Sequence, residues 1–410
     1  MASPARSLVT AEDVLAARPA VEALARRTPV LSSRTISERA GGVVALKAEN
    51  LQRSGSFKVR GAAAKLAALG PEGRARGVVC ASAGNHAQAV AAAAREYGIP
   101  CEVYVPLDAP LSKVDAAVGQ GAIVHSGGDS VDACVELARE RAARDGLAFV
   151  HPFDDPDVVA GQGSLGLELL EDVPDLARVV IPVGGGGLCS GTAIAIKASR
   201  PEVEVIGVQV AACAPYPESL RRGEPVPADS ALTIADGIAV KHPGELTLEL
   251  LRRHVDEIVV VGEDETAAAM VLLMERGKLV VEGAGAVGVA ALLGGQVSAA
   301  PQGTTIAVLS GGNVDAGLLA AAARRAETEA GRRLVLLTRV ADRPGNLARL
   351  LDCVAGTGAN IVDVAHVREG LDLHVRETAI ELVLETRGTR DAERVVATLR
   401  DGGYVTQVLH

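Results

Sequence analysis

Arg178-Val179-Val180-Ile181-Pro182-Val183-Gly184-Gly185-Gly186-Gly187-Leu188 is the stretch that decides how this chain folds. An apolar run that reads as a buried strand ends in four consecutive glycines, and Cys189–Ser199 beyond them reads as a helix. Four glycines expose successive backbone N–H groups, and a helix N-terminus adds positive potential, so an anion such as phosphate can dock there. The stretch is neither a GxGxxG dinucleotide fingerprint nor a P-loop, because no Gly-Lys-Ser/Thr follows. The competing reading is a flexible turn; the strand and helix on either side weigh against it.

The same alternation runs outward in both directions. Upstream, residues 11–28 read as an amphipathic helix and Val43–Lys47 as a strand. Strands follow at 78–81, 101–105, 122–125 and 148–150, with helices at Ala87–Tyr97, Leu111–Val118 and Val131–Arg144 between them. Downstream come strands at Glu204–Val210, Glu257–Val261 and Thr304–Leu309, with helices at Glu263–Glu275 and Ala284–Gly294. Strands alternating with helices across short glycine-bearing connections imply α/β architecture with parallel sheets. Two such series imply two lobes with a cleft between them.

Past a charged linker at 328–333 the pattern changes. Arg333–Val340 reads as extended, Pro344–Val354 as a helix whose Leu347, Leu350, Leu351 and Val354 share one face, with Pro344 in its first turn. Strands at Asn360–Arg368 and Arg376–Arg387, a helix at Asp391–Arg400 and a strand at Tyr404–Leu409 complete a βαββαβ order. That order describes a small antiparallel sheet with two helices on one face.

The 410 residues exceed one ordinary core, so two or three domains are expected. Aromatics make up 2% with no Trp, which leaves the core to Ala, Val, Leu and Ile and argues against base stacking. The net charge of −10 likewise argues against a nucleic-acid partner. Cys80, Cys101, Cys134, Cys189, Cys213 and Cys353 show no CxxC spacing and read as buried reduced thiols. The opening residues Met1–Arg6 lead toward a polar helix rather than an apolar signal core, and no apolar run reaches the ~18 residues that span a bilayer. A cytoplasmic protein without a membrane partner is expected.

Four further segments carry chemistry. Lys58, in Ser54-Gly55-Ser56-Phe57-Lys58-Val59-Arg60-Gly61, stands ahead of an alanine-rich helix. A lysine amine forms a Schiff base with an aldehyde, and desolvation lowers its pKa enough to make it a nucleophile and base. The bland reading is a solvated surface charge. Ser82-Ala83-Gly84-Asn85-His86, at a strand-to-helix junction, offers N–H donors for a carboxylate and an amide for a ring hydroxyl; an ordinary helix cap reads equally well. Ser310, in Ser310-Gly311-Gly312-Asn313, presents a hydroxyl at a strand's end, and Glu282 stands beside a helix start, where an acid is normally a cap.

Taken together and in order over residues 10–325, these segments resemble the fold-type II pyridoxal-phosphate enzymes, and among them the threonine ammonia-lyases. Thr233-Ile234-Ala235-Asp236-Gly237-Ile238-Ala239-Val240 adds to the likeness. The resemblance implies a two-lobed, tryptophan synthase β-like catalytic region over 1–328, with a small lobe of about 55–155 inserted in the large one. It implies that Lys58 carries pyridoxal 5'-phosphate, that Phe57 packs by the ring, and that Gly184, Gly185, Gly186, Gly187 and Leu188 hold the phosphate. Asn85 meets the 3-hydroxyl, Ser310 the pyridine nitrogen, and Glu282 lies near the ring. Ser82, Ala83, Gly84, Asn85 and His86 receive the carboxylate of a small amino-acid substrate. The implied reaction is β-elimination: Lys58 takes the Cα proton, the β-hydroxyl leaves, and hydrolysis yields 2-oxobutanoate and ammonia. Serine is an implied side substrate, and the first step of isoleucine biosynthesis an implied place for the reaction. A serine-preferring ammonia-lyase and a serine racemase are the alternatives on this scaffold, and a non-catalytic amino-acid sensor is the alternative off it. Ala83 stands where racemases carry a proton-transferring serine, and Gln209 and Pro215 stand where racemase-type metal sites carry acids, so neither racemisation nor a bound metal is expected.

Residues 329–410 resemble an ACT regulatory domain of ferredoxin-like βαββαβ order, through Asp342-Arg343-Pro344-Gly345-Asn346-Leu347 and Gly358-Ala359-Asn360-Ile361. The resemblance implies an amino-acid effector, isoleucine or valine, bound at a dimer interface by Asp342, Gly345, Asn346 and Asn360, and a homo-oligomer, tetramer or dimer. A dimerisation module without a ligand is the plainer alternative.

Overall fold

The computed structural model describes residues 8–230, 232–369 and 373–409, so the reading of Met1–Arg6 lies outside the described residues. The chain divides into two compact units, one up to Asp315 and one from Ala316 onward. The first holds two sheets. Strands β1 (Val30–Ser32) and β2 (Val44–Lys47) open it, β3 (Val78–Ala81), β4 (Cys101–Val105), β5 (Ile123–Ser126) and β6 (Ala148–Phe149) follow, and β7 (Leu176–Pro182), β8 (Glu204–Val210), β9 (Glu257–Val261) and β10 (Thr304–Val308) complete it. The large sheet runs β1-β2-β10-β7-β8-β9 and the small one β5-β4-β3-β6. Every pairing is parallel except that of the edge strand β1 with β2. The small sheet thus interrupts the large one between β2 and β7, and helices cover both, as parallel strands buried on two faces require.

Local chemistry sets the element ends. Ser130 caps the helix Val131–Asp145 by accepting from Ala133 N–H, and Gly146 at φ 70° ends it. Asp155 caps Pro156–Asp172, with Pro156 in the first turn where its missing N–H costs nothing. That helix escapes the sequence reading: it is buried on nearly every side and carries Gly161, Gly163 and Gly166 in its interior, so neither periodicity nor propensity marks it. The glycines let neighbours approach; a Cβ on Gly161 would lie 2.6 Å from the Arg60 carbonyl oxygen.

The second unit contains the helix Ala316–Glu329, then β11 (Arg333–Ala341), β12 (Asn360–Val367), β13 (Glu377–Glu385) and β14 (Val405–Leu409), in the antiparallel order β12-β13-β11-β14. Ile380, Leu382 and Leu384 are fully buried against Leu350, Val354, Val395 and Leu399 of its two other helices, while Glu381 points to the other face. One helix departs from expectation. It spans Asn346–Gly356, because Gly345 takes φ 87° and a left-handed residue cannot lie inside it, so Pro344 stays outside the first turn.

Candidate active site

Loops from both sheets converge on one cleft. β7 leads into Gly184, β10 into Ser310, β3 of the small sheet into Ser82, and the chain beyond β2 into Lys58. Carboxyl ends of parallel strands are where α/β sheets place ligands. The cleft has a volume of about 1040 Å³, and Phe57, Lys58, Ser82, Ala83, Gly84, Asn85, His86, Gly184, Gly185, Gly186, Gly187, Leu188, Glu282 and Ser310 all line it. Every residue that the resemblance assigns to cofactor or substrate therefore faces one cavity.

Backbone pairing places the lysine. Ser56 and Gly311 form an antiparallel bridge, Phe57 N–H donates to the Ser310 carbonyl at 3.0 Å, and Gly312 N–H donates to the Gly55 carbonyl at 2.9 Å. Gly55 has φ 74°, and a Cβ there would fall 2.1 Å from Asn313 Oδ1, so only glycine fits this turn. Lys58 begins the helix Lys58–Ala68. Its amine donates to the Pro152 carbonyl at 2.8 Å and lies 5.2 Å from the Phe57 ring centre. Desolvation pulls its pKa down to about 8, partly countered by the charge of Glu282.

Two residues along the same helix, Arg60 is fully buried and ties it down. Its Nε and Nη2 donate to Glu49 at 2.8 Å each, and Nη1 and Nη2 donate to Glu168 at 2.7 and 2.9 Å. Lys47, also buried, donates to Glu168 at 2.5 Å and to the Thr28 carbonyl at 2.8 Å. Two cations and two carboxylates thus neutralise one another, with Asp172 as a further carboxylate 3.8 Å from Lys47, and the guanidinium's N–H groups all find acceptors, the condition under which buried charge is tolerable. Burial opposes ionisation of Glu49, yet Arg60 holds its carboxyl below the usual range.

Across the cleft, Asn85 Nδ2 donates to Glu282 Oε1 at 2.7 Å, and Asn313 Nδ2 donates to Asn85 Oδ1 at 2.7 Å and to the Ser54 carbonyl at 2.9 Å. Glu282 precedes the helix Gly283–Leu293 without capping it through its side chain, so the ordinary cap reading fails: the carboxyl is turned to Asn85. Burial pushes its pKa up to about 7, Asp236 adding to the effect and the Asn85 hydrogen bond opposing it. His86 is buried, and desolvation and the Lys58 charge hold its pKa down to about 3. Its neutral ring shares a 2.9 Å contact with the Val150 carbonyl, which fixes the proton on Nε2. His86 can therefore serve a carboxylate through its backbone and not as an acid.

The glycine loop meets the requirements of a phosphate. Gly184, Gly185 and Gly186 give their N–H groups to no described partner, and Gly186 takes φ 88°. The Phe153 ring packs so closely that a Cβ on Gly185 would overlap it, at 2.0 Å. Free donors at the start of the helix Gly187–Ser199, with a depressed lysine amine in the same cleft, fit a phosphorylated aldehyde. Gln209, read as standing in for a metal-binding acid, instead donates to the Val183 carbonyl at 3.1 Å, and Pro215 opens the helix Pro215–Arg222. Among the described residues no group of three or more His, Cys, Asp or Glu is placed to hold a metal.

Several cleft residues carried no role in the sequence reading. Phe153 and Asp154 follow β6 much as Ser82 follows β3, and their His-Pro-Phe-Asp context after a strand was the available signal. Asn313 was legible only as part of a glycine turn. In the second unit the four residues assigned to an effector do not meet within the chain. Asp342, Gly345 and Asn346 sit past the end of β11, whereas Asn360 pairs with Glu385 at the other end of the sheet, level with Arg333. Asp342 forms an ion pair with Arg368 at 2.6 Å, and Asn360 Nδ2 donates to Glu385 Oε2 at 2.9 Å.

Residues 21–311 match the family described as pyridoxal-phosphate dependent enzyme. The chain belongs to that family. It is 45% identical to an L-threonine ammonia-lyase of Thermotoga maritima, over 98% of this chain and 100% of the relative. It is 42% identical to the catabolic L-threonine dehydratase TdcB of Escherichia coli, over 75% of this chain and 94% of that one. The structure of maize serine racemase superposes with a TM-score of 0.74 at 33% identity, covering 79% of this chain and 99% of that one.

Proposed function

We propose that this chain is a threonine ammonia-lyase, converting L-threonine to 2-oxobutanoate and ammonia, with L-serine as a secondary substrate. The observation that carries this reading is the gathering of Lys58, Asn85, the glycine loop and Ser310 in one cleft, in a chain 45% identical along its whole length to a named L-threonine ammonia-lyase. Bound there, pyridoxal phosphate supplies the electron sink that stabilises negative charge at the substrate Cα. The chain's own residues do the rest. The N–H groups of Gly184, Gly185 and Gly186 hold the phosphate. N–H groups at the start of the helix Asn85–Tyr97 receive the substrate carboxylate. Lys58, with a pKa of about 8, is neutral in a useful fraction of molecules near neutral pH and takes the Cα proton on its Nζ. Asn85 has its amide orientation fixed by Asn313 and Glu282 together, so it presents a defined donor edge to a ring hydroxyl.

Racemisation would need a second proton carrier on the other face of Cα. Ala83 lines the cleft at the position the resemblance assigns to that carrier, and a methyl group cannot hold a proton. Elimination is therefore favoured. The experiment is a 2-oxo-acid assay with L-threonine and L-serine: formation of 2-oxobutanoate supports the reading, and pyruvate from serine with no product from threonine makes this a serine enzyme. The second unit, with its ferredoxin-like strand order, serves as an ACT-type regulatory module for a branched-chain amino acid in a homo-oligomer, in keeping with an enzyme at the head of isoleucine biosynthesis. Isothermal titration with the branched-chain amino acids, isoleucine and valine first, tests this, and absence of heat from all of them overturns it.

A further inference from the structure

We propose that Tyr216 and Gln209 are positioning residues that aim the glycine loop at its phosphate. Both are fully buried, and neither lines the cleft, so they lie behind the loop. The Tyr216 hydroxyl donates to the Gly185 carbonyl at 2.8 Å, and Gln209 Nε2 donates to the Val183 carbonyl at 3.1 Å. In a trans peptide the C=O and the following N–H point in opposite directions. Drawing the Val183 and Gly185 carbonyls back therefore turns the N–H groups of Gly184 and Gly186 forward, and neither has a described partner. Two side chains outside the site thus set two of the donors within it.

The brace is closed on itself. Gln209 Oε1 accepts the Tyr216 backbone N–H at 3.0 Å, so one amide fixes both the loop's entry and the helix that carries the tyrosine. Thr247 Oγ1 lies 3.0 Å from the Tyr216 hydroxyl and 3.4 Å from the Gly244 carbonyl; since the Gly185 carbonyl takes the phenol's only proton, the shorter contact has the threonine donating to the phenol oxygen. Desolvation raises the Tyr216 pKa far above its ordinary value, with Thr247 opposing, so the phenol remains a donor at every working pH. The packing leaves no slack. A Cβ on Gly186 would lie 3.0 Å from the Tyr216 oxygen and 3.1 Å from Thr247 Cβ.

This inference rests on the reading of the cleft as a pyridoxal-phosphate site, and its test separates the two. Apoprotein of the full chain is titrated with pyridoxal phosphate and with pyridoxal, which lacks the phosphate, alongside thermal melting. Wild type binding the two equally would end the cofactor reading before any variant is made. In Tyr216→Phe we expect affinity for pyridoxal phosphate to fall about tenfold, the scale of a change of about 1.4 kcal/mol, with pyridoxal affinity changed less than about twofold. Thr247→Val, which removes the hydroxyl beside the phenol together with its longer 3.4 Å contact to the Gly244 carbonyl, gives a smaller change of the same kind and serves alone if the first variant does not fold. Parallel loss of both affinities marks a purely structural role and overturns the proposal, as does an unchanged ratio between them.

Discussion

Asn85 and Glu282 stand 197 residues apart in the sequence and 2.7 Å apart across the cleft, where the loop after β3 meets the helix Gly283–Leu293. Their contact joins the small sheet's loop to the large sheet's side of the same cavity. It also keeps a carboxyl group dry beside a depressed lysine. Burial that raises one pKa and lowers the other brings both toward neutrality, which is how acid–base sites are tuned.

The shift at Glu282 makes stability depend on pH. Its pKa rises from 4.5 in the unfolded chain to about 7 in the folded one, so between those values the folded chain holds a proton that the unfolded chain releases. The stabilisation is complete below about pH 4.5 and is lost as pH rises through 7, amounting to at most about 3 kcal/mol. Glu282→Gln should flatten the fall in apoprotein melting temperature between pH 5 and pH 8 (about the edges of that window). An identical slope in wild type and variant would refute the assignment.

Lys58 should react in the apoprotein with an amine-directed reagent along a titration centred at about 8, well below an exposed lysine. Because Glu282 raises the lysine pKa, Glu282→Gln should move that midpoint lower still. Labelling rates followed by peptide mapping give both values. A midpoint near that of free lysine would mean the amine is not desolvated.

Arg60→Met should leave Glu49 and Glu168 buried beside a single remaining cation, Lys47. Breaking such a network costs about 3–5 kcal/mol. Denaturant unfolding reads the loss, and Arg60→Lys should recover only part of it, since an ammonium cannot bond both carboxylates in the guanidinium's forked geometry. Full stability of the methionine variant would show that the charges are neutralised some other way.

Gly161→Ala should cost about 1–3 kcal/mol through overpacking, because the new methyl would lie 2.6 Å from the Arg60 carbonyl and 2.7 Å from Ala64 Cβ. Both clashes fall on the helix that begins with Lys58, so affinity for pyridoxal phosphate should weaken with stability. A variant as stable as wild type would mean the two helices separate easily.

The parts legible in sequence were those whose local chemistry is self-sufficient. Strands β3 and β4, the glycine loop after β7, and the alternation that buries Ile380, Leu382 and Leu384 are written in short apolar or alternating runs. Asn85 and Ser310 were identifiable because each sits in a motif just after a strand, and Lys58 because it opens an alanine-rich helix behind a run of small residues. The helix Pro156–Asp172 was hidden because burial on all sides erases periodicity. Tyr216 and Gln209 were hidden because their role depends on which carbonyl lies behind the loop, a relation between distant segments. Asn360 and Asp342 belong to one resemblance, and strand register places them at opposite ends of the sheet within a single chain, a relation that the sequence does not show.

The most direct test of the account is turnover of L-threonine by the holoenzyme and by Lys58→Ala. The wild-type protein with pyridoxal phosphate should form 2-oxobutanoate, and the variant should lose at least about a thousandfold in kcat, the scale expected when a covalent and proton-transferring amine is removed. Equal turnover by the two proteins, or no 2-oxobutanoate from the wild type, would contradict it.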